Sequence, residues 1–270
     1  MTPECWIDGQ PAEGLPITDR GLHYGDGLFE TMAVKDGRIA RLGMHLERLR
    51  EGCARLRMPA LDDMLLNREL ESAARGQTKA VLKLMVTRGS GRGYRPPVDI
   101  SPSRVLLRYP WPDYPLEWSE QGIELRVCHT RLSVNPLLAG LKHMNRLEQV
   151  MARAEWSDGP QEGLMLDTED RVIEGTMTNL FASPAPGQLL TPELGQSGVA
   201  GVMRRHIIEQ AGQMGVRIEA REISLVELMD QQELFMCNSI IGIWPVRRID
   251  ARSYGIGPMA RLAQRWAEQG

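Results

Sequence analysis

Lys142 is the residue of this chain most suited to covalent chemistry. It ends the apolar approach Pro136-Leu137-Leu138-Ala139-Gly140-Leu141 and precedes a stretch that reads as a helix over residues 145 to 156. Asn145 and Glu148 fit a capping pair, with Asn at the cap and Glu three residues on. The positive end of a helix dipole disfavours an ammonium ion, and burial beside apolar residues acts in the same direction. Both favour a neutral amine, the form that condenses with an aldehyde. The competing reading is an ordinary surface lysine in a loop, which is the commoner case for a single residue judged on spacing alone.

Glu174 lies in the run Arg171-Val172-Ile173-Glu174-Gly175-Thr176-Met177-Thr178-Asn179-Leu180-Phe181. A carboxylate inside such a strand-like, largely uncharged stretch must be solvated, paired or functional. It could keep a pyridinium nitrogen protonated, or it could face outward on an edge strand. Gly198-Val199-Ala200-Gly201-Val202-Met203-Arg204 puts glycines just ahead of a helix, where free amides make a phosphate seat. Ser239 could add a hydroxyl and Arg48 a charge, although a turn serine and a solvated helix-face arginine explain them equally. Arg88-Gly89-Ser90-Gly91-Arg92-Gly93-Tyr94-Arg95-Pro96-Pro97 fails as a dinucleotide fingerprint, because two prolines stand where a helix should begin. Its three arginines suit a carboxylate ligand, or else the segment is a solvated turn.

These residues need elements to hold them. Leu28 to Val34, Lys35-Asp36-Gly37 and Arg38 to Leu42 read as a hairpin, since Asp-Gly tolerates the positive φ of a tight turn. Helical spacing of Leu46, Leu49, Cys53 and Leu56 predicts a helix over 43 to 58, and a second covers 61 to 75. Strands are expected at 80 to 87 and 104 to 109. Three prolines between Pro110 and Pro115 then mark a linker, with a domain boundary near residue 113. Beyond it, short strands at 122–129, 163–167, 171–174, 179–183, 189–191, 216–222, 233–238 and 243–249 outnumber the helices at 145–156, 201–214 and from Pro258. That pattern argues for a barrel-like or α+β arrangement over alternating βαβ units.

Composition sets the outer limits. With 270 residues, 42% hydrophobic and 25% charged, the chain reads as a globular protein of one large or two modest domains. The net charge of −3 exerts no general pull toward nucleic acid or an anionic membrane. No apolar run is long enough to span a bilayer, no signal peptide is legible after Met1, and the four cysteines lack paired spacing, so a cytoplasmic location is expected. The five histidines lack metal-ligand spacing and no G-x-S-x-G is present, which argues against metal and serine-triad chemistry.

Taken in order, five motifs resemble those of the fold-type IV pyridoxal-phosphate enzymes, the family of branched-chain and D-amino-acid aminotransferases. They are Asp19-Arg20-Gly21 through Tyr24-Gly25-Asp26-Gly27-Leu28-Phe29-Glu30-Thr31, His45-Leu46-Glu47-Arg48-Leu49, Lys142-His143-Met144-Asn145, Glu174-Gly175-Thr176 through Asn179-Leu180-Phe181, and Gly201-Val202-Met203-Arg204. The Arg88–Tyr94 loop and the stretch Leu138–Val150 are similar to the aminodeoxychorismate lyases within that family. The resemblance implies an α/β (α+β) fold. A small N-terminal α/β domain over 1–112 would join a larger C-terminal pseudo-barrel domain over 113–270, with the cofactor between them, and the chain would form a homodimer.

The same resemblance implies pyridoxal 5'-phosphate as cofactor, with Lys142 as its Schiff-base lysine and general base. Glu174 would pair with the pyridine nitrogen, while Arg48, the amides of Val202 and Met203, and Ser239 would hold the phosphate. Lys83, Arg92 and Asn238 would line the substrate pocket, and Thr31 would join Lys142 in catalysis. The implied reaction converts 4-amino-4-deoxychorismate to 4-aminobenzoate and pyruvate for folate synthesis. The alternative is a D-amino-acid or branched-chain aminotransferase of the same fold. Those enzymes often carry a tyrosine five residues after the lysine, where this chain has Leu147, so what takes the place of that hydroxyl stays open.

Overall fold

The computed structural model describes residues 4–269. The chain divides into two compact units: one runs up to Pro112 and takes in Leu141–Asn145, the other comprises Asp113–Gly140 and Arg146 onward.

The first unit is a six-stranded antiparallel sheet in the order β2-β1-β6-β5-β3-β4. Its strands are β1 (Glu4–Ile7), β2 (Gln10–Pro11), β3 (Gly27–Lys35), β4 (Arg38–Ile39), β5 (Lys79–Thr87) and β6 (Ser103–Pro110). The expected hairpin is β3–β4, turned through Asp36 and Gly37 at φ 48° and 74°. Three helices join the sheet: α1 (Arg20–Tyr24), α2 (Leu42–Arg55) and α3 (Asp63–Ala74). Helix α3 starts where the Asp62 carboxylate caps the amides of Met64 and Leu65. Alternation along β3 and β5 sends Leu28, Met32, Leu82, Leu84 and Val86 to the buried face, where Leu46, Leu49, Leu66 and Leu70 of α2 and α3 are also buried. Phe29, Thr31, Lys83 and Met85 occupy the opposite, half-buried face.

The second unit is built on a nine-stranded sheet in the order β12-β11-β10-β13-β14-β7-β8-β9, with β15 paired to β14. In chain order the unit contains α4 (Leu116–Glu120), β7 (Ile123–Val127), α5 (Leu147–Arg153), β8 (Glu162–Leu166), β9 (Val172–Gly175) and β10 (Asn179–Ser183). It continues through β11 (Gln188–Pro192), α6 (Val202–Gln213), β12 (Arg217–Arg221), α7 (Leu225–Met229), β13 (Glu233–Asn238), β14 (Gly242–Ile249), β15 (Arg252–Ser253) and α8 (Pro258–Glu268). The sheet curls until β9 returns beside β10 and β11, and Val172 N–H donates to the Ile223 carbonyl at 2.9 Å. Leu125, Leu164, Leu180, Met236 and Val246 fill one core. Phe181 and Phe235, register partners with stacked rings 5.1 Å apart, share a second core with Met203 and Ile207 of α6 and Trp266 of α8. Helices α1, α4 and α7, of five residues each, went unforeseen because one helical turn carries no readable periodicity.

Candidate active site

The segment Leu141–Asn145 lies along β3. Phe29 N–H donates to the Lys142 carbonyl at 2.9 Å, Met144 N–H donates to Gly27 at 3.0 Å, and His143 bridges to Leu28. Two glycines admit it: a Cβ on Gly25 would fall 2.4 Å from Asn145 Oδ1, and one on Gly27 would fall 2.8 Å from Met144 Sδ. Lys142 Nζ then stands 4.3 Å from the centroid of the Phe29 ring. Lys83 Nζ stands 5.4 Å from the same ring, and Lys83 is the cross-strand partner of Thr31. Lys142 and Lys83 are thus gathered about one aromatic side chain, and Thr31 is the register partner of Lys83.

The capping pair does not form. Asn145 Nδ2 donates to the Gly25 carbonyl at 3.2 Å, and Glu148 accepts from Ser133 N–H and Oγ. Helix α5 begins at Leu147, its cap Arg146 makes no side-chain capping bond, and it is only seven residues long. The helix-dipole argument for a neutral Lys142 therefore falls away.

On the buried face of β3, Glu30 points at α2. It accepts from His45 Nδ1 at 2.6 Å and from both Nε, at 2.8 Å, and Nη2 of Arg48. Burial pushes the Glu30 carboxyl up, but the Arg48 charge and the His45 bond outweigh it and hold the pKa at about 2. Burial lowers the pKa of His45 against the pull of Glu30, and the charges of Arg48 and Lys142 act with burial. Sequence reading picked out Arg48 but gave Glu30 no role. The legible signal was an acid in the buried phase of a strand facing His45 and Arg48, which share a helix face at i, i+3.

Arg92 is exposed on the β5–β6 loop. The root of that loop is fixed by Arg88, whose Nε donates to Asp26 Oδ2 at 2.8 Å and whose Nη atoms donate to the carbonyls of Arg57 and Leu56.

In the second unit, Glu174 is buried on β9, not facing outward. Its Oε2 accepts from Val199 N–H at 2.9 Å and from Asn179 Nδ2 at 3.3 Å, and Asn179 Nδ2 also donates to the Val199 carbonyl at 2.9 Å. Gly201, the N-cap of α6, is held to glycine by this arrangement, since a Cβ there would sit 2.0 Å from Asn179 Oδ1. The amides of Val202 and Met203 follow in the first helical turn, where N–H groups have no intrahelical acceptor. Arg146 is desolvated, which lowers its pKa, while the charges of Glu174 and Glu148 oppose that shift.

Sequence reading missed Asn179 and Glu162. Buried Glu162 accepts from Thr176 N–H at 3.1 Å, Met177 N–H at 3.2 Å and both threonine hydroxyls of the turn that joins Glu174 to Asn179. Asn238 ends β13 as a turn-former. Its Oδ1 accepts from Ile240 and Ile241 N–H at 2.8 and 2.9 Å, and its Nδ2 donates to Met177 at 3.2 Å. Ser239 sits half-buried in that turn.

A family model described as amino-transferase class IV matches residues 27–249. The aminodeoxychorismate lyase of Vibrio harveyi is 38% identical over 96% of this chain and 97% of its own length. The crystal structure of 4-amino-4-deoxychorismate lyase from Pseudomonas aeruginosa superimposes with a TM-score of 0.93 at 50% identity, covering 97% of each chain. The branched-chain-amino-acid aminotransferase of Escherichia coli K12 is more distant, at 28% identity over 96% of this chain and 89% of its own. The ordered motifs and the matched model agree: this chain belongs to the class IV amino-transferase family.

Proposed function

We propose that this chain is a pyridoxal-phosphate-dependent lyase that converts 4-amino-4-deoxychorismate to 4-aminobenzoate and pyruvate, a step of folate synthesis. The observation that carries the reading is that Lys142 and Lys83 both lie against the Phe29 ring, because a dicarboxylate substrate needs a fixed cation beside the reacting amine. An aminotransferase for apolar amino acids has less use for Lys83 or Arg92. Similarity at 38% and 50% identity to proteins named as this lyase supports the same choice.

The residues present fit the cofactor. Lys142 offers an amine for its aldehyde, and Glu174, held by an amide and an asparagine, offers a carboxylate for its pyridine nitrogen. The amides of Val202 and Met203, opened by Gly201, together with Arg48 and Ser239 suit its phosphate. When bound, pyridoxal phosphate supplies the electron sink for charge left on the carbon next to the substrate amine.

The chain's own residues do the rest. Lys83 and Arg92 bind the two substrate carboxylates. The Lys142 amine removes the ring proton beside the substrate amine. The bond from ring to enolpyruvyl oxygen then breaks, the ring becomes aromatic, and the proton returns to the leaving group as pyruvate forms. We assign the passing of that proton to the Thr31 hydroxyl, on the residue cross-strand from Lys83.

We further read the enzyme as a cytoplasmic homodimer. Leu147, Val150 and Met151 form an apolar stripe on α5, at 76%, 59% and 62% exposure, that suits a second copy. The unpaired thiols of Cys53, Cys128 and Cys237 suit a reducing compartment. Among the described residues no helix is long and apolar enough to cross a membrane.

The deciding assay incubates the holoenzyme with 4-amino-4-deoxychorismate and, separately, with D- or branched-chain amino acids plus 2-oxoglutarate. Equimolar 4-aminobenzoate and pyruvate are expected from the first; glutamate formation alone would make it an aminotransferase.

A further inference from the structure

The loop that carries Arg92 has little packing of its own: Arg92, Gly93, Tyr94 and Arg95 are all exposed. What holds it is a set of hydrogen bonds to α1. Arg20, whose side chain is 3% exposed, donates from Nε to Asp26 Oδ2 at 2.8 Å. Its Nη1 donates to the Gly93 carbonyl at 2.5 Å and its Nη2 to the Tyr94 carbonyl at 3.2 Å. The Arg20 guanidinium also lies 5.0 Å from the centroid of the Tyr24 ring. Tyr24 completes the attachment, since its hydroxyl accepts from Gly93 N–H at 3.0 Å and its ring leans on Tyr94 at 5.5 Å.

The other side of Arg92 is anchored too. Gly91 N–H donates to Thr18 at 3.1 Å, and Ser90 bridges to Asp19. The backbone is therefore pinned one residue before and one residue after Arg92. Gly93, the second of these anchors, sits at φ 68°, a conformation that favours glycine. Asp26 Oδ2, which receives Arg20, receives Arg88 as well, so one carboxylate oxygen ties the loop root to the arginine that grips the loop tip.

A guanidinium this buried has to find acceptors, and bonds from a charged donor are stronger than neutral ones. Here those acceptors are carbonyls of a segment that would otherwise be ordered only at an entropic cost. We propose that Arg20 is a positioning residue: with Tyr24 it latches the Gly91–Pro97 loop to α1 and so sets where the Arg92 guanidinium stands for an anionic substrate. The consequence for substrate binding rests on the role given to Arg92 under Proposed function. The latch itself does not.

Two readouts test it in the holoenzyme. Trypsin cleaves after Arg92 only when the loop opens, and the Arg92–Gly93 cut is followed by mass spectrometry. Arg20→Met should speed that cut about tenfold or more, and raise KM for aminodeoxychorismate by about tenfold, with kcat changed by no more than about threefold. Arg20→Lys, which keeps a charged donor, should fall between. Tyr24→Phe removes one acceptor and keeps the ring, so it tests the latch even if Arg20→Met folds poorly; about fivefold faster cutting is expected. Unchanged cutting and KM in both Arg20→Met and Tyr24→Phe overturn the latch, as does a loss of kcat in step with cofactor absorbance. Faster cutting in Arg20→Met while Arg92→Ala leaves KM unchanged upholds the latch and overturns the substrate role of Arg92.

Discussion

The Glu30 carboxylate on β3 takes both the Nε and Nη2 of Arg48, eighteen residues away in sequence yet side by side across the β3–α2 contact, and its Oε2 also receives His45 Nδ1 at 2.6 Å. A fork of this kind fixes the plane of the guanidinium. It also stores pH-dependent stability. A carboxyl held at about 2, down from its ordinary 4.5, contributes stability that is complete above the unfolded value and is lost as pH falls through the folded one.

Glu30→Gln should therefore destabilise the protein at pH 7 by about 3 kcal/mol. The gap from wild type should close as pH drops from 4.5 toward 2, as followed by denaturant unfolding at a series of pH values. If Arg48 holds the phosphate, the same variant should bind pyridoxal phosphate about tenfold more weakly. A stability gap that stays constant across that range would show that Glu30 is not the titrating group.

Lys142→Ala should lower lyase turnover by at least about a thousandfold, since it removes both the amine that binds the aldehyde and the proposed base. Borohydride trapping of the wild-type holoenzyme, followed by peptide mass spectrometry, should place the pyridoxyl adduct on Lys142. An adduct on Lys83, which shares the Phe29 ring, would reverse the two assignments.

Asn179→Ala takes away the amide side chain that donates to Glu174 Oε2 and keeps the Val199 N–H bond to the same oxygen. We expect cofactor affinity to fall about fivefold to tenfold, measured by titrating apoenzyme with pyridoxal phosphate. Glu174→Gln, which keeps the shape and removes the charge, should cost turnover more than affinity. Equal behaviour of Glu174→Gln and wild type in both measurements would separate Glu174 from the pyridine nitrogen.

Lys83→Met should raise KM for aminodeoxychorismate about tenfold or more while leaving the absorbance of the bound cofactor in place. Thr31→Val, at the register partner of Lys83 on the facing strand, should lower kcat and spare KM. A kcat loss in Lys83→Met without a KM change would assign the cation to the chemistry instead of to binding.

Much of this site was legible along the chain. The hairpin followed from Asp36-Gly37, because a two-residue turn states its backbone conformation in its residue types. The helix behind Gly201 and the strand bearing Glu174 followed from spacing, while the burial of Glu174, left open between an inward and an outward face, was decided by the fold. Asn145 and Glu148 misled for the same local reason: their three-residue spacing matches a cap, yet each has a partner more than a dozen residues away, Gly25 and Ser133.

The amino-acid order by itself pointed to the family, through its ordered motifs, to a two-part layout and to Lys142 and Glu174 as candidates, since turn chemistry, periodicity and motifs act over a few residues. Only the tertiary structure decided that Leu141–Asn145 returns to β3, that Phe29 brings Lys142 and Lys83 together, and that Glu30 and Arg20 hold the arginines and the loop beside them. Those relations join residues that a folded chain brings close and a linear one does not. Their strength comes from burial, which a sequence states only once the partner across the fold is known.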